Sequence, residues 1–320
     1  MKFLLPVDSR VRDTQGFCVL DTITGVVDYT HTDERYPYRR KGFRGACTVG
    51  ERVFVCNSFS VKAFEFDVVD SGLTLIPVWQ LQLPEWLVGR AANADLHALH
   101  LDSVRGVLLL ANSFMDSVDT ISLDGEFLGR EFLWEISGQV RSLVVNRNSA
   151  APDLCHLNHI AQAFGQTFLT LGNINATGQG AVLHKESGAF VVEGLERPHD
   201  GVFWRDEFWI TETAANQLRV YRGINSAESF RNCKAEIVDL STHINEDEKF
   251  WCRGLHVTEE RIYVGCSQFQ DRVNNVAGMP PSHVLELDKQ SGRVIARFAI
   301  LGSKEMERPV LFSLLPLVES

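Results

Sequence analysis

The sequence predicts a six-bladed β-propeller, and three observations predict it. One unit recurs at residues 45–57, 99–112, 158–173, 200–212 and 254–267: an apolar strand, a turn rich in Gly or acidic residues, and a second apolar strand that ends in a small or polar residue. The ends of the second strands, Asp8, Asn57, Asn112, Asn173, Glu212 and Ser267, are 49, 55, 61, 39 and 55 residues apart, and the step through the two termini is 61. Runs with a 3.6-residue apolar period are scarce between the strands, which argues against a doubly wound α/β sheet.

In chain order, residues 3–9 match the second strand at 53–58, and residues 20–25 form an outer hairpin, so the N-terminus begins a blade without its first strand. Met1 to Val7 opens like a signal peptide, but Asp8, Arg10, Arg12 and Asp13 cut the apolar stretch short, and a strand is expected. In the later units a third and fourth strand follow, joined by Asp/Ser–Gly turns at 123–125, 183–188 and 287–292, where glycine accepts positive φ. Each unit is thus a four-stranded meander. The inserts at 88–95, 146–153, 241–249 and 271–282 are expected as loops on the faces. Residues 308–316 have the character of a first strand and would complete the blade that the N-terminus begins. A single domain over 1–320 is expected.

Composition narrows the function classes. With 45% hydrophobic and 22% charged residues the chain has material for a sizeable core and a soluble surface. A net charge of -10 argues against general nucleic-acid affinity, and the one basic run, Arg39, Arg40 and Lys41 with Arg35 and Arg44 nearby, reads as a solvated loop or a local anion contact. No stretch approaches the length of a membrane span. Seven cysteines, Cys18, Cys47, Cys56, Cys155, Cys233, Cys252 and Cys266, form no Cys-x-x-Cys and mostly sit in apolar runs, so reduced, buried thiols and a cytoplasmic location are expected.

In a propeller the first strands line the axis, and the residues that open them surround one mouth of the channel together with the ends of the second strands. Here the openers are polar: Arg44; Asp95, His97 and His100; His156, Asn158 and His159; His199 and Asp200; Arg253 with His256; and Arg308. Six of the ten histidines fall there, while His31, His184, His243 and His283 lie in loops or outer hairpins. Strand alternation prevents both members of the pairs His97/His100 and His156/His159 from facing one ligand, so one of each is expected to pack between blades.

Imidazoles from different blades suit Zn²⁺ or Fe²⁺, and the candidate ligands are His97, His156, Asn158, His199 and His256. The bland alternative is a channel plugged by histidines and arginines that hydrogen-bond one another and water. Fixed positive charge disfavours a cation unless carboxylates offset it, and it favours an anionic substrate. Arg44 and Arg253 could clamp a carboxylate or phosphate.

Three blocks carry a resemblance to a known family. Cys155-His156-Leu157-Asn158, Pro198-His199 ahead of residues 204–212, and Arg253-Gly254-Leu255 ahead of residues 262–267 resemble the signature blocks of a bacterial family of conserved hypothetical propeller proteins with no established activity. The likeness covers about the last half of the chain, and His97 more loosely. More distantly, Asn158 followed by Asp200-Gly201 is similar to the gluconolactonase and senescence-marker group of six-bladed propellers. That resemblance implies an axial divalent metal held by Glu, two Asn and Asp, and hydrolysis of lactones or esters. Asn158 and Asp200 match two of the four ligands. Asp8 or Arg44, and His97, stand where the others would be, which departs from a Ca²⁺-type oxygen cage.

The expected function is therefore an enzyme on a small anionic or sugar-like molecule, by lactone or ester hydrolysis, lyase or isomerase chemistry. His156, His199, Asp200 and Glu212 are the candidate catalytic groups, and Arg44, Asn57, Asn112, Asn173, Arg253 and Ser267 the candidate substrate contacts. One divalent metal, Zn, Fe or Ca, is the cofactor the pattern allows; no organic cofactor, nucleic acid or membrane is expected. The rival is a non-catalytic scaffold that binds a protein or glycan through one face.

Overall fold

The computed structural model describes residues 1–9, 14–33, 42–58, 60–69, 72–82, 95–146, 153–174, 178–241, 250–268, 281–301 and 309–317. Their strands form six antiparallel sheets. The closing blade holds β1 (Lys2–Ser9), β2 (Thr14–Asp21) and β3 (Val26–Asp33). The second blade is β4 (Ala46–Val49), β5 (Arg52–Cys56), β6 (Ser60–Val69) and β7 (Gly72–Gln82). The third is β8 (Leu96–Asp102), β9 (Val107–Asn112), β10 (Ser117–Ser122) and β11 (Phe127–Phe132). The fourth is β12 (Leu157–Ala163), β13 (Gln166–Leu171), β14 (Gln179–His184) and β15 (Ala189–Glu196). The fifth is β16 (Pro198–Trp204), β17 (Glu207–Glu212), β18 (Gln217–Arg222) and β19 (Glu236–Asp239), and the sixth is β20 (Phe250–Val257), β21 (Arg261–Gln268), β22 (Ser282–Asp288) and β23 (Val294–Ile300).

The expected closure is present, with one change. The C-terminal segment gives two short strands, β24 (Pro309–Leu311) and β25 (Leu315–Leu317), and both pair antiparallel with β1. Between them the chain leaves the ladder at Phe312 to Leu314, and that detour reaches the axial site described below.

The core is divided as a propeller requires. Each of the six apolar clusters fills the gap between two neighbouring blades, because a four-stranded sheet with both faces apolar must bury both. Phe3, Leu5 and Val7 pack on Tyr263 and Val284 of the sixth blade, whereas Leu4 packs on the second blade, so the alternation of β1 ties it to both neighbours. Full burial of a Phe or Leu side chain is worth about 1.5–3 kcal/mol. Blades approach so closely that a Cβ on Gly45 would lie 2.3 Å from Ala98 Cα.

Helices were not foreseen near the third blade, yet Leu133–Ile136 and Gly138–Asn146 follow β11. They cover the outer edge between the third and fourth blades, with Leu133 and Val140 buried in that gap. The apolar spacing there is too short to stand out as a helical period. A third helix, Ala227–Asn232, is capped by Ser226. No helix among the described residues is long and apolar enough to cross a membrane. None of the seven cysteines forms a disulfide; five are buried, and Cys47 and Cys233 are half-buried. Arg308, His243, the run Arg35 to Lys41, and most of the expected loops at 88–95, 146–153, 241–249 and 271–282 lie outside the described residues.

Candidate functional site

The site is made by irregularities in the inner strands. Their pairing with the second strands slips at the opening of four successive blades, and the ladder skips His97 in β8, Asn158 in β12, His199 and Asp200 in β16, and Arg253 and Gly254 in β20. An extra residue in one strand bends it and re-aims the side chain that is left over. Rings from three blades thereby meet. The centroids of His97 and His156 are 4.8 Å apart, and those of His97 and His199 are 5.6 Å apart.

A cavity of about 270 Å³ opens beside them, lined by Asp153, His156, Asn158, Gly172, Asn173, Gly178, Arg197, His199, Thr213, Trp251 and Arg253. His97 is buried next to His156 and His199 and is not itself part of the lining. The wall is tight at Gly172, where a Cβ would lie 2.6 Å from Asn158 Nδ2.

Each of the three imidazoles has an aspartate at Nδ1. His156 Nδ1 is 2.7 Å from Asp153 Oδ1, His199 Nδ1 is 3.3 Å from Asp200 Oδ2, and His97 Nδ1 is 3.6 Å from Asp95 Oδ1. A carboxylate at Nδ1 fixes ring orientation and leaves Nε2 as the nitrogen that points away from it, the arrangement that backs metal-bound histidines. His199 Nε2 and Asn158 Oδ1 are buried without hydrogen-bond partners. Such groups cost about 1–3 kcal/mol each unless something satisfies them.

Burial and neighbouring charge keep the His97 and His199 rings neutral. Burial, then the neighbouring His156, Arg44, His199 and Arg253, hold His97 well below the usual imidazole value. Burial also lowers His199, against the pull of Asp200. Neutral imidazole is the metal-binding form and the form that accepts a proton. Burial opposes the charge of Asp200, but His199, His159 and the Gly254 amide at 2.9 Å favour it, and its carboxyl lies below the usual range.

The arginines divide in role. Arg44 forms an ion pair with Asp95, so carboxylate offsets its charge, and it does not line the cavity. Arg253 does line it, with its guanidinium 4.2 Å from the centroid of Trp251 and 4.9 Å from that of Phe312. Phe312 also lies 5.6 Å from Arg44, and Ser313 Oγ donates to the Arg44 carbonyl at 2.7 Å, so the detour of the closing segment braces both arginines.

Several expected contacts are elsewhere. Glu212 has no solvent exposure and does not line the cavity; its carboxylate accepts Arg219 Nε at 2.5 Å and the Gln217 amide within the fifth blade and the Glu196 amide at 2.7 Å at the end of β15, so it ties the fifth blade to the fourth. Asn57 is spent on Gln15 at 3.3 Å and on the Ser60 amide at 2.9 Å. Asn112 donates to Asp119 at 3.1 Å and accepts the Met115 amide at 3.2 Å. Ser267 exchanges two hydrogen bonds with the Leu311 backbone, at 2.9 and 2.7 Å, and so holds β24. Asp8 is buried against Gly42. His256 packs edge-on to Phe3 with centroids 5.4 Å apart, outside the lining, and burial pushes it down to about 4. Asp200 meets His199 through an oxygen that also accepts from Thr211 and the Gly254 amide, and it does not line the cavity. His100 and His159 each reach across to the next blade: His100 pairs with Gln162 of the fourth blade, and His159 faces Asp200 and His199 of the fifth, where burial lowers it to about 4.

Of the expected site, His156, Asn158, Asn173, His199 and Arg253 line the cavity, with His97 against them. Arg197, Thr213, Trp251, Phe312 and Asp153 were missed. Asp95-x-His97, Asp153-x-x-His156 and His199-Asp200 were the available signal: an acid beside each mouth histidine.

As to a metal, one atom each from Asp95, His97 and His156 lie within 4.8 Å of one another. The imidazoles of this group suit a transition metal and fit poorly the oxygen cage that Ca²⁺ requires; the orphaned His199 Nε2 lies outside the group and would have to approach it to bind the same ion.

No family model matches the chain, and no curated protein matches it in sequence. Solved structures do match in shape. A Bacteroides caccae protein of unknown function aligns over 100% of both chains with a TM-score of 0.63 and 14% identity. A chain of the nidogen/laminin complex aligns over 98% of both chains, TM-score 0.57 and 10% identity. The periplasmic gluconolactonase of Pseudomonas aeruginosa aligns over 98% of both, TM-score 0.56 and 14% identity. At such identities the likeness shows a six-bladed propeller fold.

Proposed function

We propose that the axial pocket is the active site of an enzyme that acts on a small anionic or sugar-like molecule, with one divalent transition metal held by His97 and His156, Asp95 beside them, and His199 drawn in to complete the set. The observation that carries this reading is the meeting of three imidazoles from three blades, each with an aspartate at Nδ1. Histidines that merely plug a channel would bond to one another, and the buried His199 Nε2 has no partner.

Asn158 Oδ1 is the oxygen donor available to complete the coordination. Bound there, the metal would supply a Lewis acid and an acidified water. The chain's own contributions are orientation by Asp95, Asp153 and Asp200, the neutral rings of His97 and His199 able to take up a proton, and anion recognition by Arg253 and Arg197 over the Trp251 ring. The fold is shared with a gluconolactonase, which makes lactone and ester hydrolysis the first chemistry to test, ahead of lyase and isomerase reactions. Seven cysteines outside any disulfide, five of them buried, support a cytoplasmic setting.

The test is turnover of sugar lactones, phosphorylated sugar lactones and aryl esters with added Zn²⁺, Fe²⁺ or Mn²⁺. The reading expects metal-dependent hydrolysis that His199→Ala abolishes, and a KM for anionic substrates about tenfold higher in Arg253→Lys, a loss of roughly 1.4 kcal/mol. No turnover of any of them, with any metal, removes the hydrolase form of the proposal.

A further inference from the structure

His156 does not stand on a strand. It closes a turn in which Asp153 and His156 both have left-handed backbones, at φ 65° and 54°. Such conformations cost a non-glycine residue about 1 kcal/mol or more, so the turn needs an outside support. Asp116, in the connection between β9 and β10 of the preceding blade, provides one.

Asp116 is 3% exposed and is itself left-handed, at φ 47°. Its Oδ2 accepts the Leu154 amide at 2.6 Å and the Cys155 amide at 3.1 Å, and its Oδ1 accepts the Cys155 amide at 3.1 Å and the His156 amide at 3.0 Å. Three consecutive N–H groups around one carboxylate form the concave nest that proteins use to hold anions, filled here by an anion of the same chain. The support is fixed in turn, because the Asp116 carbonyl accepts the Leu133 amide at 2.8 Å, and the Phe114 carbonyl accepts the Asp153 amide at 2.8 Å. On the far side, the Cys155 and His156 carbonyls accept the Asn173 and Gly172 amides at 3.0 and 2.9 Å.

We propose that Asp116 is the positioning residue of the axial site: its carboxylate folds residues 153–156 into the strained turn that carries the His156 imidazole out of the fourth blade and against His97. The metal part of the following test rests on the reading of His156 as a ligand. The positional part does not.

The variant is Asp116→Asn, which keeps the shape and tolerates a left-handed backbone but turns an amide group toward the three donors. In metal-free protein with labelled histidine, the wild type is expected to show ring-to-ring NOEs for His97–His156 and for His97–His199. Asp116→Asn is expected to lose the first, keep the second, and bind Zn²⁺ about 10- to 100-fold more weakly by calorimetry, close to His156→Ala. Retention of both NOEs and of Zn²⁺ affinity overturns the proposal, and so does loss of both NOEs in a folded variant, since the effect is then not specific to His156. Should Asp116→Asn not fold, hydrogen exchange in the wild type decides. The Leu154, Cys155 and His156 amides are expected to be as protected as those of β13, and exchange at open-loop rates overturns the assignment. Failure of the wild type to bind Zn²⁺ removes the metal reading alone and leaves the NOE comparison to judge Asp116.

Discussion

Two sets of positions surround the mouth of this propeller, and they do different work. The second strands end at Asn57, Asn112, Glu212 and Ser267, all buried and committed to neighbouring backbone or side chains. The first strands open at His97, Asn158, His199 and Arg253, and at each the ladder slips and a polar side chain is released toward the axis. The repeat that reveals the fold is therefore built from the first set, four of whose polar side chains each accept a backbone amide, while Asn173 of the same set lines the cavity. The site lies where the repeat is broken.

The sharpest way to break this comparison is to truncate one member of each set. His156→Ala and His199→Ala are expected to lower metal-dependent turnover by about 100-fold or more, with a melting temperature near that of the metal-free wild type. Glu212→Ala should do the reverse. It leaves Arg219 and the Glu196 amide without their buried acceptor and is expected to cost about 3–5 kcal/mol in urea unfolding while the cavity persists. Similar stability losses in both would erase the distinction.

Next in size is the response to acid. Burial holds His256 at about 4 in the folded chain, below the free value of 6.5, so the unfolded chain binds the extra proton between these limits. Stability should be unaffected above pH 6.5 and should fall as pH drops toward 4, at no more than about 1.4 kcal/mol per pH unit from this residue. His256→Gln is expected to flatten that part of the profile, read from urea midpoints between pH 7 and 4.5, without altering metal binding. The smallest effect belongs to Ser267→Ala, about 1–2 kcal/mol from the lost tie to Leu311, with turnover of the folded enzyme preserved.

The fold was legible because strand alternation, Asp/Ser–Gly turns and the roughly even landmark spacing are all local to the sequence. The closing blade could be read from the missing first strand at one end and its match at the other, although not the break at Phe312 that sends an aromatic ring between Arg44 and Arg253. The histidines were legible as a cluster of openers. Which of them face the cavity was not, since alternation assumes a regular ladder and the bulges at His97 and Asn158 reset it. His256 shows the same limit from the other side: it lies one residue past the slip that releases Arg253 and Gly254, back within the regular ladder, and packs on Phe3. Arg197 and Asp116 carry no sequence signal of their own, because their roles depend on left-handed backbones at positions where glycine would have been the expected mark.

Metal content is the most direct test of the central claim. Protein purified without added metal should contain close to one equivalent of zinc or iron, and a His156→Ala/His199→Ala double variant, still folded, should contain almost none. Less than about 0.1 equivalent in the wild type, with no rise in melting temperature when Zn²⁺ or Fe²⁺ is added, would contradict it.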